Sequence, residues 1–371
     1  MTGTYALIVG GGTAGHVLPG VAIGQELVRR GHEAESIHFV GSERGVERTI
    51  VPAAGFDLTV LPGRGIQRKL TTENIGSVIG LGKAFATARG LLADRKPSVV
   101  VALGGYASVP AGAWAVLMRS PIVVAEQNAV PGLANSLIGR FAKVCAVSFD
   151  GTDLPNAVWT GNPVRPEILD VAENREQRRA EARRQYNIGD GQKLLVVFGG
   201  SLGARRINNA VVGALDHFAA RGDVVVRHII GKRDYQDVMT KVGAIGETYL
   251  PIEYENDMAS VYAAADLVVC RAGATSCAEL SVTGTPSVLV PLPGAPGDHQ
   301  TENARALERV GGAELVADSL FDSQMLTKTV DRLLDSDEVL ATMRESVEAV
   351  ARPDAASAVA DLVEKHGGVA S

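Results

Sequence analysis

One short pattern occurs twice in this chain, and it decides most of what the chain can become. Tyr5–Val9 is an apolar run too short for a helix. It leads into Gly10-Gly11-Gly12-Thr13-Ala14-Gly15-His16, and apolar residues then recur at helical spacing from about Leu18 to Arg30, with Gly31 as the stop. Nearly halfway along, Leu194–Phe198 is again an apolar run, Gly199-Gly200-Ser201-Leu202-Gly203-Ala204-Arg205 a glycine-rich turn, and Asn208–Ala220 a helical segment. A strand that ends in glycines and feeds a helix opens a parallel sheet wrapped on both faces. Its return predicts an α/β protein of two doubly wound, Rossmann-like domains facing a cleft, rather than one large sheet.

The alternation continues between these openings. Strands are expected at Ser36–Val40, Phe56–Leu61, Ser98–Leu103, Ile122–Ala125 and Val144–Ser148, with helices near Gly45–Ala54 and Glu73–Asp94. Two more helices follow Gly104-Gly105-Tyr106 and Glu126-Gln127-Asn128. After Asn162-Pro163-Val164-Arg165-Pro166 the composition turns charged; Glu173–Tyr186 reads as a helix, with the linker just before it. The second domain continues through a strand Val224–Ile230, a helix near Tyr235–Val242 and a loop Tyr254–Asp257. Strands Leu267–Cys270 and Ser287–Leu292 follow, then helices Leu326–Leu334, Glu338–Val350 and Ala355–Glu364. The expected domains are 1–163 and 164–350, with 351–371 a C-terminal helix packing back on the first.

A chain of 371 residues can bury two cores. A net charge of −6 argues against a general nucleic-acid binder. Cys145, Cys270 and Cys277 are odd in number and lie in or beside apolar segments, which suits buried thiols in a reducing cytoplasm. No signal peptide is read at the amino terminus, and no apolar run approaches the roughly 18 residues of a spanning helix. A cytoplasmic protein is expected, free to rest on a membrane.

The stretch Cys270–Asn303 carries the clearest chemistry. One helix starts at Ala274, Thr275 and Ser276 and holds Glu279 in its second turn; another opens with His299, Gln300 and Asn303. Each helix end offers free N–H groups and positive dipole to a phosphate, and Glu279 is within reach of a ribose. This order suits a nucleotide-sugar site. Ser201, with the amides of Gly199–Gly203, offers a second phosphate cradle. Arg165 either adds charge or anchors the hinge, and Arg271 is better read as pairing with a carboxylate or a helix end.

Gly10-x-Gly12-x-x-Gly15 matches the dinucleotide fingerprint, but the second strand ends Val40-Gly41-Ser42 and Glu43 comes late for a ribose. A tight strand-to-helix turn is the plainer alternative. His16 stands at a helix start, where the dipole favours a neutral imidazole, and reads as a base, an acceptor ligand or a structural residue. Glu126 and Asn128 either point into the same cleft or cap a helix before Pro131. No Asp-x-Asp pair suggests a metal-bound pyrophosphate and no His/Cys cluster has ligand spacing, so no metal or other cofactor is expected. Helix ends and hydrogen bonds would then stabilise a leaving pyrophosphate.

Gly11–Gly20, Gly104-Gly105-Tyr106, Glu126-Gln127-Asn128, Gly161–Arg165, Gly199–Arg205 and Arg271–Glu279 stand in order, and together they resemble the MurG family. These bacterial transferases add N-acetylglucosamine to lipid I to make lipid II for peptidoglycan. The resemblance runs from about Ala6 to Asn303. It implies a GT-B glycosyltransferase fold, with UDP-N-acetylglucosamine held mainly by the C-terminal domain and the lipid acceptor by the N-terminal one. It implies donor contacts at Thr13, Ala14, Gly15, Asn128, Arg165, Ser201, Ala274, Thr275, Glu279 and Gln300, with uracil near Glu255. His16, Tyr106 and Asn128 would meet the acceptor. Ala14 stands where the family often has glycine, and Leu202 where it has glutamine. The implied reaction is an inverting displacement by the acceptor 4-hydroxyl, with His16 favoured as base and Glu126 as competitor.

A lipid acceptor implies a peripheral protein on the cytoplasmic face of the bacterial plasma membrane, with partners in wall synthesis and division. Ile75, Val78, Ile79 and Phe85 have helical spacing, and Arg64, Arg68, Lys69, Lys83 and Arg89 lie around them. That combination suits an anionic membrane surface, or an ordinary amphipathic helix on the sheet. Rival readings are a UDP-N-acetylglucosamine 2-epimerase, another GT-B glycolipid synthase, a nucleotide-sugar sensor without turnover, and a nicotinamide oxidoreductase.

Overall fold

The structure is a computed structural model that describes residues 3–43, 45–63, 73–200, 202–243 and 246–368, with main chain alone for 73–79. It divides into two units, Met1–Arg165 with Arg352–Ser371, and Pro166–Ala351.

In the first unit the elements run β1 (Ala6–Gly10), α1 (Ala14–Arg29), β2 (Ile37–Ser42), α2 (Glu47–Ala53), β3 (Asp57–Leu61), α3 (Glu73–Arg95) and β4 (Val99–Gly104). Then come α4 (Ser108–Leu117), β5 (Ile122–Glu126), α5 (Leu133–Ile138), β6 (Val144–Val147) and β7 (Ala157–Trp159). All pairings are parallel, in the order β3-β2-β1-β4-β5-β6-β7. Every residue of β1, β2, β4 and β5 is buried, as a sheet covered on both faces requires. Alternate residues of β1 enter two cores. Ala6 and Ile8 join Ile23, Leu27 and Phe39, while Leu7 and Val9 join Ala84, Ala88, Leu92 and Ala111.

Helix α1 begins four residues before the apolar period does. Thr13, extended at φ −132°, ψ 156°, precedes it, and Pro19 lies inside it. The first turn is Ala-Gly-His, which carries no apolar signal, so periodicity alone misses it.

The second unit repeats the plan. Its elements are α6 (Pro166–Glu173), α7 (Arg175–Gln185), β8 (Lys193–Phe198), α8 (Arg205–Arg221), β9 (Val224–Ile229), α9 (Tyr235–Met239), β10 (Tyr249–Ile252) and α10 (Met258–Ala264). They continue with β11 (Leu267–Cys270), α11 (Ala274–Val282), β12 (Ser287–Leu289), α12 (His299–Arg309), β13 (Ala313–Leu315), α13 (Ser323–Leu334) and α14 (Asp337–Glu348). The parallel order is β10-β9-β8-β11-β12-β13. In both units the strand order reverses beside the first strand, between β1 and β4 and between β8 and β11. Open α/β sheets bind ligands in the crevice at such a point, outside the carboxyl ends of the strands.

The charged stretch expected as one helix is α7, already preceded by α6. β12 stops at Leu289, short of the expected Leu292. After α14 the chain returns to the first unit as α15 (Ala355–Gly367), which buries Val359, Ala360 and Val363 in the core beside β1. Arg30 at the end of α1 binds Asp361 at 2.6 Å and Glu364 at 2.7 Å, and His32 Nε2 lies 2.9 Å from Glu364.

The described half of α3 buries Ala84, Ala88 and Leu92, leaving Lys83 and Arg89 exposed and Phe85 half-buried. Arg64, Arg68 and Lys69, and the side chains of Ile75, Val78 and Ile79, lie outside the described residues. Among the described residues, no helix is long and apolar enough to cross a membrane.

Candidate active site

In the first unit the turns after β1 and β4 press backbone on backbone. Gly105 has φ +79°, and a Cβ there would sit 2.5 Å from the Gly11 carbonyl oxygen. Glycine is therefore a steric requirement at this position. Fully buried Ser108 ties the two strands, its Oγ 2.8 Å from the Val9 carbonyl oxygen and accepting from the Gly104 amide at 3.0 Å.

Glu47, the first residue of α2, is 1% exposed. Its Oε1 accepts from the Ser42 amide at 2.5 Å and the Ser42 hydroxyl at 2.8 Å, and its Oε2 accepts from the Gly12 amide at 2.9 Å. A Cβ on Gly11, Gly41 or Gly45 would collide with this carboxylate. The end of β2 does have its acid, then, but the acid faces back onto the glycine turn. Sequence reasoning missed Glu47 and Ser108. The only signal for Glu47 was the pair Gly41 and Gly45 shortly before it.

At the head of α1, Thr13 Oγ1 lies 3.0 Å from His16 Nδ1. The other edge of the imidazole faces Gly104, where a Cβ would sit 3.4 Å from Nε2. Ala14 and Gly15 contribute first-turn amides, which a helix leaves without intrahelical partners. Glu126 ends β5 and is 3% exposed. Its Oε1 accepts from the Asn128 amide at 2.9 Å and Asn128 Nδ2 at 3.3 Å; its Oε2 accepts from the Gly132 amide at 3.0 Å and Asn135 Nδ2 at 2.8 Å. This is the bonding of a carboxylate that shapes a loop. Tyr106 donates to the Pro62 carbonyl at 2.9 Å, anchoring the segment after β3, and burial raises its phenol pKa. Thr13, Ala14, Gly15, His16, Tyr106, Glu126 and Asn128 thus share one sheet edge. Arg165, half-buried, ends the first of the unit's two segments.

In the second unit, Gly203 (φ +85°) approaches the Ile230 carbonyl so closely that a Cβ would lie 2.2 Å from its oxygen. The nearby acid, Asp234, is engaged otherwise than Glu47. Arg233 meets both its oxygens at 2.7 Å and holds its carboxyl below the usual range, and Asn208 Nδ2 donates at 3.3 Å. Among the described residues no carboxylate takes an amide of this turn; Ser201 itself lies outside them.

Helix α11 starts at Ala274 behind an extended Gly273. Thr275 Oγ1 is buried there and has no hydrogen-bond partner among the described residues. Glu279, 5% exposed, accepts from Tyr262 Oη at 3.0 Å, and the Tyr262 ring meets Phe198 edge-on. Tyr262 belongs to α10, which the sequence reading lacked.

Gln300, second in α12, accepts the Leu292 amide at 2.9 Å. Asn303 ties α12 to the Ala272 carbonyl at 3.1 Å. Arg271 pairs with Asp318 at 2.7 Å and donates to the Val290 and Pro291 carbonyls. Glu255 forms an ion pair with Arg227, whose guanidinium lies 4.1 Å from the centroid of the Tyr186 ring, and accepts the Asp257 amide at 2.9 Å. That side chain is turned into the protein, while Glu253, Tyr254, Asn256 and Asp257 of the same loop are exposed. Among the described residues no three His, Cys, Asp or Glu side chains are grouped to hold a metal ion.

Residues 6–147 match the glycosyltransferase family 28 N-terminal domain, and residues 194–361 its C-terminal domain. The UDP-N-acetylglucosamine–N-acetylmuramyl-(pentapeptide) pyrophosphoryl-undecaprenol N-acetylglucosamine transferase of Caldanaerobacter subterraneus is 36% identical, over 96% of this chain and 98% of its own. The crystal structure of Acinetobacter baumannii MurG superposes with a TM-score of 0.75 at 27% identity, covering 98% of this chain and 99% of the other. The UDP-N-acetylglucosamine 2-epimerase of Neisseria meningitidis covers 97% of this chain and 100% of its own, at TM-score 0.65 and 14% identity; it shares the fold alone.

Proposed function

Because this chain belongs to the family of UDP-N-acetylglucosamine–N-acetylmuramyl-(pentapeptide) pyrophosphoryl-undecaprenol N-acetylglucosamine transferases, we propose that it moves N-acetylglucosamine from UDP-N-acetylglucosamine to lipid I, giving lipid II. The observation that carries this reading is 36% identity along nearly the whole of both chains.

In the proposed reaction the 4-hydroxyl oxygen of the N-acetylmuramyl unit attacks the anomeric carbon of the donor. The bond from that carbon to the diphosphate breaks, UDP leaves with the electron pair, and the configuration inverts. The hydroxyl proton passes to His16, whose ring is oriented by the Thr13 contact on Nδ1. Glu126 has the weaker claim as base, because both its oxygens already serve four donors of its own loop.

The donor belongs in the second unit, where the 199–203 turn and the starts of α11 and α12 offer amides and dipole to the diphosphate. Glu279 and Thr275 are placed for ribose and phosphate, and the 253–257 loop for uracil. Those helix ends meet the charge of the leaving group without a metal ion. A lipid acceptor also places the protein at the cytoplasmic face of the bacterial plasma membrane, as a peripheral component of wall synthesis.

The test measures UDP release with and without a short-chain lipid I analogue, in EDTA. Release only with the acceptor, undiminished by EDTA, is expected, and His16→Ala should lower kcat by roughly 10²–10⁴-fold. Donor turnover without acceptor would point to an epimerase, and tight donor binding without release to a sensor.

A further inference from the structure

A dinucleotide-binding turn normally keeps two things for its ligand: a glycine amide for the pyrophosphate, and an acid beyond the second strand for the ribose. In the first unit these satisfy each other. The Gly12 amide donates to Glu47 Oε2 at 2.9 Å, and Oε1 takes both polar hydrogens of Ser42 at the end of β2. Three donors converge on one buried carboxylate, the coordination a bound anion would otherwise receive. Gly11, Gly41 and Gly45 pack around it so closely that none of them can carry a Cβ without displacing it.

The second unit supplies the contrast. Asp234 stands near the corresponding turn but is paired with Arg233, and among the described residues no carboxylate takes a turn amide.

We propose that Glu47 is a positioning residue for the transfer reaction: an internal anion that fills the seat of the first glycine turn and thereby fixes Thr13 and His16. The turn Gly10–Gly12 leads directly into Thr13, which precedes α1 and contacts His16 Nδ1. Glu47 therefore sets where that imidazole stands, although it has no place at the reacting atoms. The same carboxylate repels a second anion, so the first turn stays closed to nucleotide while the second remains open. The kinetic part of this inference rests on the transferase reading above; the binding part does not.

The experiment uses the full chain with Glu47→Ala and Glu47→Gln, each checked for folding by thermal melting. In Glu47→Ala, kcat for UDP release should fall about 10- to 100-fold, the scale of a small misplacement of a catalytic group. The KM for UDP-N-acetylglucosamine should stay within about threefold, because the proposed diphosphate, ribose and uracil contacts belong to the second unit, which the substitution leaves unchanged. Sodium formate, small enough for the emptied seat, should restore part of that kcat and raise the melting temperature of Glu47→Ala, with neither effect on the wild type. Glu47→Gln, which keeps the volume and loses the charge, should be slow and unresponsive to formate. Wild-type kcat in either folded variant, or loss in folded Glu47→Ala that formate leaves untouched, would overturn the proposal. Should Glu47→Ala fail to fold, the kcat and KM of Glu47→Gln decide. Should the wild type show no transfer, the melting shift with formate still reports on the anion seat and separates the two failures.

Discussion

Two histidines give the molecule a built-in response to acid. His228 on β9 is fully buried, its Nδ1 3.0 Å from Tyr249 Oη and its Nε2 3.0 Å from Asn208 Oδ1. Burial pushes its pKa down to about 3. His38 on β2 is held at about 4, by burial first and then by Arg95. In the unfolded chain both titrate near 6.5. Below that pH the unfolded state takes up protons the folded state refuses, so the stability these groups hold above pH 6.5 is lost as pH falls towards their folded pKa. Each costs about 1.4 kcal/mol per pH unit in that window. The depressed carboxylates, such as Glu26 and Asp234, add a loss of the same sign only at lower pH. Denaturant midpoints from pH 7.5 to 5 should therefore decline, and His228→Gln should flatten the decline of the second unit by one histidine's share. An unchanged slope would refute the assignment.

Helix α15 is the element whose position in sequence most disguises its role. Val359, Ala360 and Val363 lie in the same core as Ala6 and Ile8, and Arg30 and His32 hold the acids on its outer side. Val359→Ala should cost about 1–3 kcal/mol. That loss should appear in the first unit although the residue follows the second. Trp114 and Trp159, the chain's two tryptophans, both belong to the first unit, so fluorescence-detected unfolding reads the effect directly. A fluorescence transition indifferent to this substitution would remove α15 from that core.

Elements were legible where apolar runs were long and flanked by glycine, as in β1, β4, β8 and β11. Those that escaped lack such a run. β7 and β13 are three residues each at sheet edges, and β10 contains Pro251, which an edge strand tolerates. α10 was findable, since Asp257 accepts the Ser260 amide at 3.0 Å as an ordinary helix cap. At the site, the glycine turns and Glu279 could be seen because their spacing relative to strands carries meaning. Glu47 could not, because an acid among Ser, Glu, Arg and Gly looks like surface until burial shows otherwise.

For the whole molecule, the repeated plan predicts an unequal response to ligand. The two sheets share a strand order, but only the second unit leaves its first turn without an internal carboxylate among the described residues. UDP alone should therefore slow amide exchange at residues 199–204, 271–276 and 299–303 and leave residues 10–16 unchanged. At a hundredfold excess over Kd it should stabilise the second unit by about 2.7 kcal/mol. Equal protection at both turns would contradict the division of labour.

The return of the chain at Arg352 also has a consequence in time. Pro166–Ala351 is continuous, so a ribosome can deliver the second unit whole. The first begins earlier and finishes later: its sheet must wait, the part of one face over β4, β5 and β6 without its cover, until everything from Pro166 to Ala351 has been synthesised. During that interval the nascent chain presents Val101, Val123 and Ala146 to whatever binds apolar surface. The first unit therefore completes its core only after the second has been made.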